Sequence, residues 1–206
     1  MVNRAARGAA LGAVPGCALL IGCALLIGCT SDPKVPQPPA EIQIVHQDAN
    51  NMVIETQPMM QVPLIPPPQG GWIVLLGVRA KNIDSANATL TTALVDSCDS
   101  QIIQIDKRPT KLEMGADGWA VSSLTTFGNL PVCPQLTATR DLHDVPYLVK
   151  VSVEDTAGQK ATAEVTVVPT CPTEASRCTC ECDRDYVVGA ECPVIVTPHG
   201  TCNTAD

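Results

Sequence analysis

Apolar and polar residues alternate most regularly over Tyr147-Leu148-Val149-Lys150-Val151-Ser152-Val153-Glu154-Asp155, where Lys150, Ser152 and Glu154 fall between apolar odd positions. Successive side chains of a strand point to opposite faces, so this pattern predicts a strand with one buried and one wet face. Thr156-Ala157-Gly158-Gln159 predicts a turn, and Ala161 to Val168 alternates again before Pro169, completing a hairpin. Trp72-Ile73-Val74-Leu75-Leu76-Gly77-Val78 is instead a continuous apolar run of strand length, bounded by glycines and by Arg79-Ala80-Lys81-Asn82, and predicts a central strand. Ala88 to Val95, Gln101 to Ile105, Lys111 to Met114 and Trp119 to Leu124 add shorter strands. Short strands separated by Asp, Asn, Ser and Gly turns indicate an all-β fold, an antiparallel β-sandwich.

Ahead of this region, Glu41-Ile42-Gln43-Ile44-Val45-His46 and Met52-Val53-Ile54-Glu55-Thr56 flank a turn at Asp48-Ala49-Asn50-Asn51 and predict a short hairpin. Pro33, Pro36, Pro38 and Pro39 favour an extended stalk, since proline fixes one torsion and donates no backbone hydrogen bond. Pro63, Pro66, Pro67 and Pro68 with Gly70 and Gly71 break the chain again. The resulting division is a leader over 1–28, a proline-rich stalk with the hairpin over 29–69, the sandwich over 70–170 and a cysteine-rich tail over 171–206.

The Tyr-x-Val-x-Val-x-Val-x-Asp-x-x-Gly sequence from Tyr147 to Gly158 resembles the last hairpin of immunoglobulin-like and PKD-like domains. That resemblance implies an immunoglobulin-like sandwich with Tyr147 as its tyrosine-corner residue, the ring at the edge of the core and the hydroxyl bonded to nearby backbone. Two departures keep the resemblance at the level of architecture. Val149 stands where antibody domains carry the second core cysteine, and the Trp-Asp-Phe-Gly-Asp-Gly type of signature found in PKD repeats is absent. Architecture alone does not give function.

Arg4 and Arg7, the apolar run from Ala9 to Gly28 and the sequence Leu26-Ile27-Gly28-Cys29 together resemble the lipobox signal peptide of bacterial lipoproteins. The resemblance implies cleavage before Cys29, acylation of that cysteine, and anchorage to a membrane of the bacterial cell envelope. Several acyl chains anchor stably where one binds reversibly. Leu20-Ile21-Gly22-Cys23 repeats the pattern, but cleavage there would leave Ala24-Leu25-Leu26-Ile27 at the new start, whereas Cys29 precedes the polar Thr30-Ser31-Asp32-Pro33-Lys34. In a cell with two membranes the resemblance implies the outer one, because Thr30 stands where the strongest inner-membrane retention signal is Asp. An uncleaved transmembrane helix is the alternative, and Pro15 with Gly8, Gly12, Gly16, Gly22 and Gly28 disfavours a long helix.

Cleavage would remove Arg4 and Arg7 and no acid, so the formal charge would move from −8 to −10. Affinity for phosphates comes from clustered Lys and Arg, and Lys107, Arg108 and Lys111 form the one local cluster, so nucleic acid is not the expected partner. The partners implied are the membrane, through Cys29, and an envelope protein or extracellular ligand. With only Trp72, Trp119, Phe127, Tyr147 and Tyr186 as aromatics, the core must be aliphatic.

Setting Cys29 aside for lipid leaves eight cysteines beyond the leader: Cys98, Cys133, Cys171, Cys178, Cys180, Cys182, Cys192 and Cys202. An even number in an oxidising compartment suits four disulfides. Cys178, Cys180 and Cys182 are spaced too closely to bond one another without strain, so each pairs outward. If Cys171, Cys192 and Cys202 are their partners, six pairings remain open and Cys98–Cys133 is the fourth bond. The alternative is soft-metal binding or redox chemistry at Cys178, Cys180 and Cys182, although zinc sites more often use Cys-x2-Cys pairs.

No catalytic constellation stands out, and no cofactor is implied. His46, His143 and His199 lie beside no recognisable nucleophile, and Ser122 and Ser123 lack the Gly-x-Ser-x-Gly elbow. Asp141-Leu142-His143-Asp144 suits a polar loop better than acid–base work. Asp96, Asp99 and Asp155 are turn residues that could also offer oxygen to calcium. The sequence thus predicts a non-catalytic, membrane-anchored binding or structural module.

Overall fold

A computed structural model describes residues 37–172 and 176–192, with Gly200 and Cys202. The leader, Cys29 and His199 lie outside the described residues. Two β-sheets face each other across an aliphatic core. One has the order β2-β1-β4-β8-β7, with β9 also paired to β4, and the other the order β3-β11-β10-β5-β6. The strands are β1 (Glu41–Gln47), β2 (Val53–Glu55), β3 (Met60–Pro63), β4 (Trp72–Lys81), β5 (Ala88–Val95), β6 (Ile102–Thr110), β7 (Leu112–Met114), β8 (Ala120–Ser122), β9 (Gly128–Cys133), β10 (Tyr147–Asp155) and β11 (Lys160–Thr170). This is the β-sandwich expected from the alternation, in the immunoglobulin-like form that the hairpin's resemblance implies, and the β10–β11 hairpin forms with Tyr147 opposite Val167 and Glu154 opposite Lys160.

Strand β10 turns Tyr147, Val149, Val151, Val153 and Asp155 inward and leaves Lys150 and Glu154 exposed. Strand β4 is buried along nearly its whole length because it is covered by the other sheet and paired with β1, β8 and β9. Val74, Leu76, Leu90, Leu94, Leu130 and Val149 fill the space between the sheets, each with no accessible surface. Gly77 is required by packing: a Cβ there would lie 2.6 Å from Cε1 of Phe127.

The structure corrects the division of the chain. Residues 41–63, which the patterning assigns to a stalk with a hairpin, belong to the sandwich. The predicted hairpin forms as β1 and β2, but β1 also pairs with β4 from Glu41↔Lys81 to His46↔Leu76. The proline-flanked segment at Met60 is strand β3, paired parallel to β11, so the sandwich is not wholly antiparallel. Proline is compatible with this position because β3 lies at a sheet edge. Strand β6 runs on to Thr110 and carries Lys107 and Arg108, whereas the Trp119–Leu124 segment is a strand only over β8 and then forms a 3-10 turn at Leu124–Thr126.

The tail is not separate either. A short helix, α1 (Ser176–Glu181), docks at the end of the sandwich where β4 begins and β9 and β11 finish. The disulfides are Cys98–Cys202, Cys133–Cys182, Cys171–Cys178 and Cys180–Cys192. The expected Cys98–Cys133 bond is therefore replaced. Cys133 is buried beside Trp72 in the β4–β9 pairing and faces the tail, while Cys98 lies in the β5–β6 turn and receives Cys202.

Candidate functional site

The end of the sandwich that receives the tail gathers the described cysteines and the buried Asp96, Arg140, Asp141 and Glu181. Cys178, Cys180 and Cys182 lie on or next to α1, and the backbone N–H of Cys182 bonds to Cys178 O at 2.9 Å. Helical geometry puts residues 178 and 182 on one face and 180 on another. Cys178 and Cys182 accordingly face the sandwich, with their Sγ atoms 3.9 Å apart, while Cys180 turns away to Cys192. The Sγ atoms of Cys171, Cys178 and Cys182 all lie within 4.8 Å of one another, and Cys182 is bonded to Cys133. Two disulfides thus stack side by side. The group differs from the one suggested by sequence: Cys171 replaces Cys180.

Glu181 is buried between this cluster and β4. Its Oε2 accepts the indole N–H of Trp72 at 2.9 Å and its Oε1 accepts from Arg177 Nε at 2.6 Å, so the carboxylate is held from both sides. The tail is further tied by Leu142 N–H to Cys182 O and by Arg184 N–H to Asp141 Oδ1.

Beside it, Arg140 and Asp96 form an ion pair with side chains 5% and 0% exposed and an Nη2–Oδ1 distance of 2.7 Å. Arg140 also donates to Pro146 O and Gly200 O and stacks 4.7 Å from the centroid of Tyr147. The Tyr147 hydroxyl donates to Asp141 O at 2.9 Å, six residues upstream, which is the geometry implied for a tyrosine corner. Burial holds the Tyr147 phenol well above its ordinary pKa, with the neighbouring Arg140 cation opposing that shift. The sequence carried no sign of the Arg140–Asp96 pair or of the Trp72–Glu181 bond, whose partners are 44 and 109 residues apart.

The candidate calcium ligands are not brought together. Asp96 follows β5 and serves Arg140, and Asp99 caps the next turn by accepting from Gln101 N–H. Asp155 lies at the opposite end of the β5–β10 pairing, opposite Ala88, where it accepts from Ala157, Gln159 and Asp84.

The candidate acid–base groups are also dispersed. Ser122 Oγ accepts the Val78 N–H, and Ser123 Oγ contacts Thr125 Oγ1. His46, 2% exposed on β1, bonds through Nδ1 to Thr56 Oγ1 at 3.0 Å, and burial lowers its pKa while Asp48 opposes. His143 Nδ1 lies 2.9 Å from Asp144 Oδ2. Arg108 pairs with Asp106 on the same strand, so the basic cluster is partly neutralised.

A groove of about 560 Å3 opens beside the disulfide cluster, lined by His46, Ile54, Met60, Leu64, Ile65 and Cys171 among others. A second, of about 410 Å3, lies on the outward face of the β5–β6–β10–β11 sheet, where Ile102 and Ile105 are each 55% exposed.

No family model and no curated protein matches the chain. Among solved structures, murine CRIg matches at 8% identity with a TM-score of 0.28, covering 65% of this chain and 99% of that one. The N-terminal domain of PorA matches at 11% identity with a TM-score of 0.25, covering 63% and 97%. Similarity at this level decides nothing about ligand or partner.

Proposed function

We propose that the protein is a lipid-anchored lipoprotein of a bacterial cell envelope, in which Cys29 carries the anchor and a disulfide-braced immunoglobulin-like sandwich acts as a non-catalytic binding or structural module. The observation that carries this reading is the pairing of the cysteines. All eight from Cys98 onward bond to one another, so none of them is a disulfide partner for Cys29. Disulfides of this number belong to exported proteins. The engagement of Ser122, His46 and Asp96 in holding the fold favours a module that binds or braces over one that turns over substrate.

Metabolic labelling with a fatty acid tests the anchor. Label should enter the full-length protein expressed in a bacterium with two membranes, survive Cys23→Ser, disappear with Cys29→Ser, and fractionate with the outer membrane. Label lost with Cys23→Ser alone would move the anchor, and no label in any form would remove it. For the module, crosslinking in intact cells should trap an envelope component, and a protein that crosslinks to nothing would lose the binding half of the proposal.

A further inference from the structure

The stacked pair of disulfides has a second use beyond bracing the tail. We infer that Cys133, Cys171, Cys178 and Cys182, when reduced, form a tetrathiolate site for a single Zn2+-like cation, so that this end of the sandwich can be closed either by two disulfides or by one metal ion.

The geometry supports a site of this size. Zinc binds thiolate sulfur at about 2.3 Å in a tetrahedron, which sets neighbouring sulfurs about 3.8 Å apart. The Sγ atoms of Cys178 and Cys182 are already 3.9 Å apart, and that of Cys171 lies within 4.8 Å of both, so once its bond to Cys178 is reduced only that side of the triangle has to open. Cys133 supplies the fourth sulfur from β9, now bonded to Cys182. The four come from three places in the chain, the end of β9, the end of β11 and the face of α1, so a metal there would hold the same elements that the disulfides hold.

Cys133, Cys178 and Cys182 are buried, at 3%, 0% and 0% exposed, whereas Cys171 is only partly buried and lines the groove beside β3. That groove is the route by which a reductant and then an ion reach the cluster. Cys180, two residues from each of its neighbours, is excluded because α1 turns it toward Cys192.

The chemistry balances without a cofactor. Each disulfide takes two electrons and two protons from a dithiol, which becomes a disulfide itself, so two dithiols yield four protein thiols. Binding one divalent cation then releases the four thiol protons, because thiolate is the ligand form.

The test is Co2+ titration of the full-length protein reduced with a phosphine under anaerobic conditions, followed by visible absorption, near-UV circular dichroism and native mass. The expected result is one Co2+ per chain, the absorption of a tetrahedral thiolate site, displacement by Zn2+, and a folded tryptophan signal. The double variant Cys171→Ser, Cys178→Ser should bind far more weakly, beyond the roughly 10–100-fold that outer-shell changes cost. The double variant Cys180→Ser, Cys192→Ser should bind as the parent does. Absence of Co2+ binding overturns the inference, as does equal loss in both variants or binding that survives in the first. So does equal affinity in the urea-unfolded chain, since that would be binding by loose thiols and not by a built site.

Discussion

The indole N–H of Trp72, the first residue of β4, donates to the buried carboxylate of Glu181, the last residue of α1, at 2.9 Å across 109 residues of sequence. Unlike the backbone bond from Leu142 N–H to Cys182 O, it joins two side chains and can be removed by a single substitution. Glu181→Ala would leave the indole N–H buried without an acceptor and should cost about 1–3 kcal/mol. Glu181→Gln keeps an acceptor and should cost less. Urea denaturation of both variants with disulfides intact checks the order, and equal losses would show that charge, not the bond, matters.

Arg140 and Asp96 should show strong coupling. Removing one member of a buried pair strands the other, a cost of about 3–5 kcal/mol, whereas replacing both with apolar residues of similar size can be nearly neutral. Arg140→Met should therefore be much worse than Arg140→Met with Asp96→Leu. If the double variant is as unstable as the sum of the single ones, the hydrogen bonds that Arg140 donates to Pro146 O and Gly200 O, lost with the guanidinium, hold this end more than the pairing does.

His46 makes stability depend on pH. Its folded-state pKa is lowered, chiefly by burial. Below about pH 6.5 the unfolded chain takes up a proton that the folded chain resists. The contribution is thus present above that pH and lost as pH falls through the lower folded-state value. Urea midpoints should fall between pH 7 and 5 in the parent and less steeply in His46→Gln. An identical slope would assign the dependence to other groups.

The disulfides should contribute unequally. In the chain-entropy account a bond closing a separation of 104 residues, as Cys98–Cys202 does, stabilises by about 4.7 kcal/mol and one closing 7, as Cys171–Cys178 does, by about 2.4 kcal/mol. Paired alanine variants at each site, compared by denaturant midpoint, should follow that order. Non-reducing peptide mapping should recover the four connections, and a Cys98–Cys133 peptide would contradict the structure.

The sheet core was legible because its signals are local. Alternation at Tyr147–Asp155 and continuity at Trp72–Val78 each reflect how one strand meets water, while the tyrosine corner at Tyr147 was implied by the resemblance of its hairpin to immunoglobulin-like domains. Strand β3 was hidden because Pro63 and its neighbours look like a break, and what makes Met60–Pro63 a strand is β11, more than a hundred residues away. Strand β9 was hidden in the same way, with Gly128 and Pro131 inside it and β4 supplying the pairing. The even number of cysteines could be counted, but their partners depend on which side of one end each reaches. Cys133 pairs inward to the helix and Cys98 outward to the chain's last described residue.

That last connection bears on mechanical load. A tether that pulls on the chain ahead of β1 while a partner holds the residues near Cys202 transmits tension through Cys98, directly into the β5–β6 turn. Strands β6 to β11 then sit inside a covalent ring that carries no part of the stretch. Under such a pull only the stretch of chain ahead of Cys98 can pay out, and the second half of the sandwich behaves as an inextensible knot.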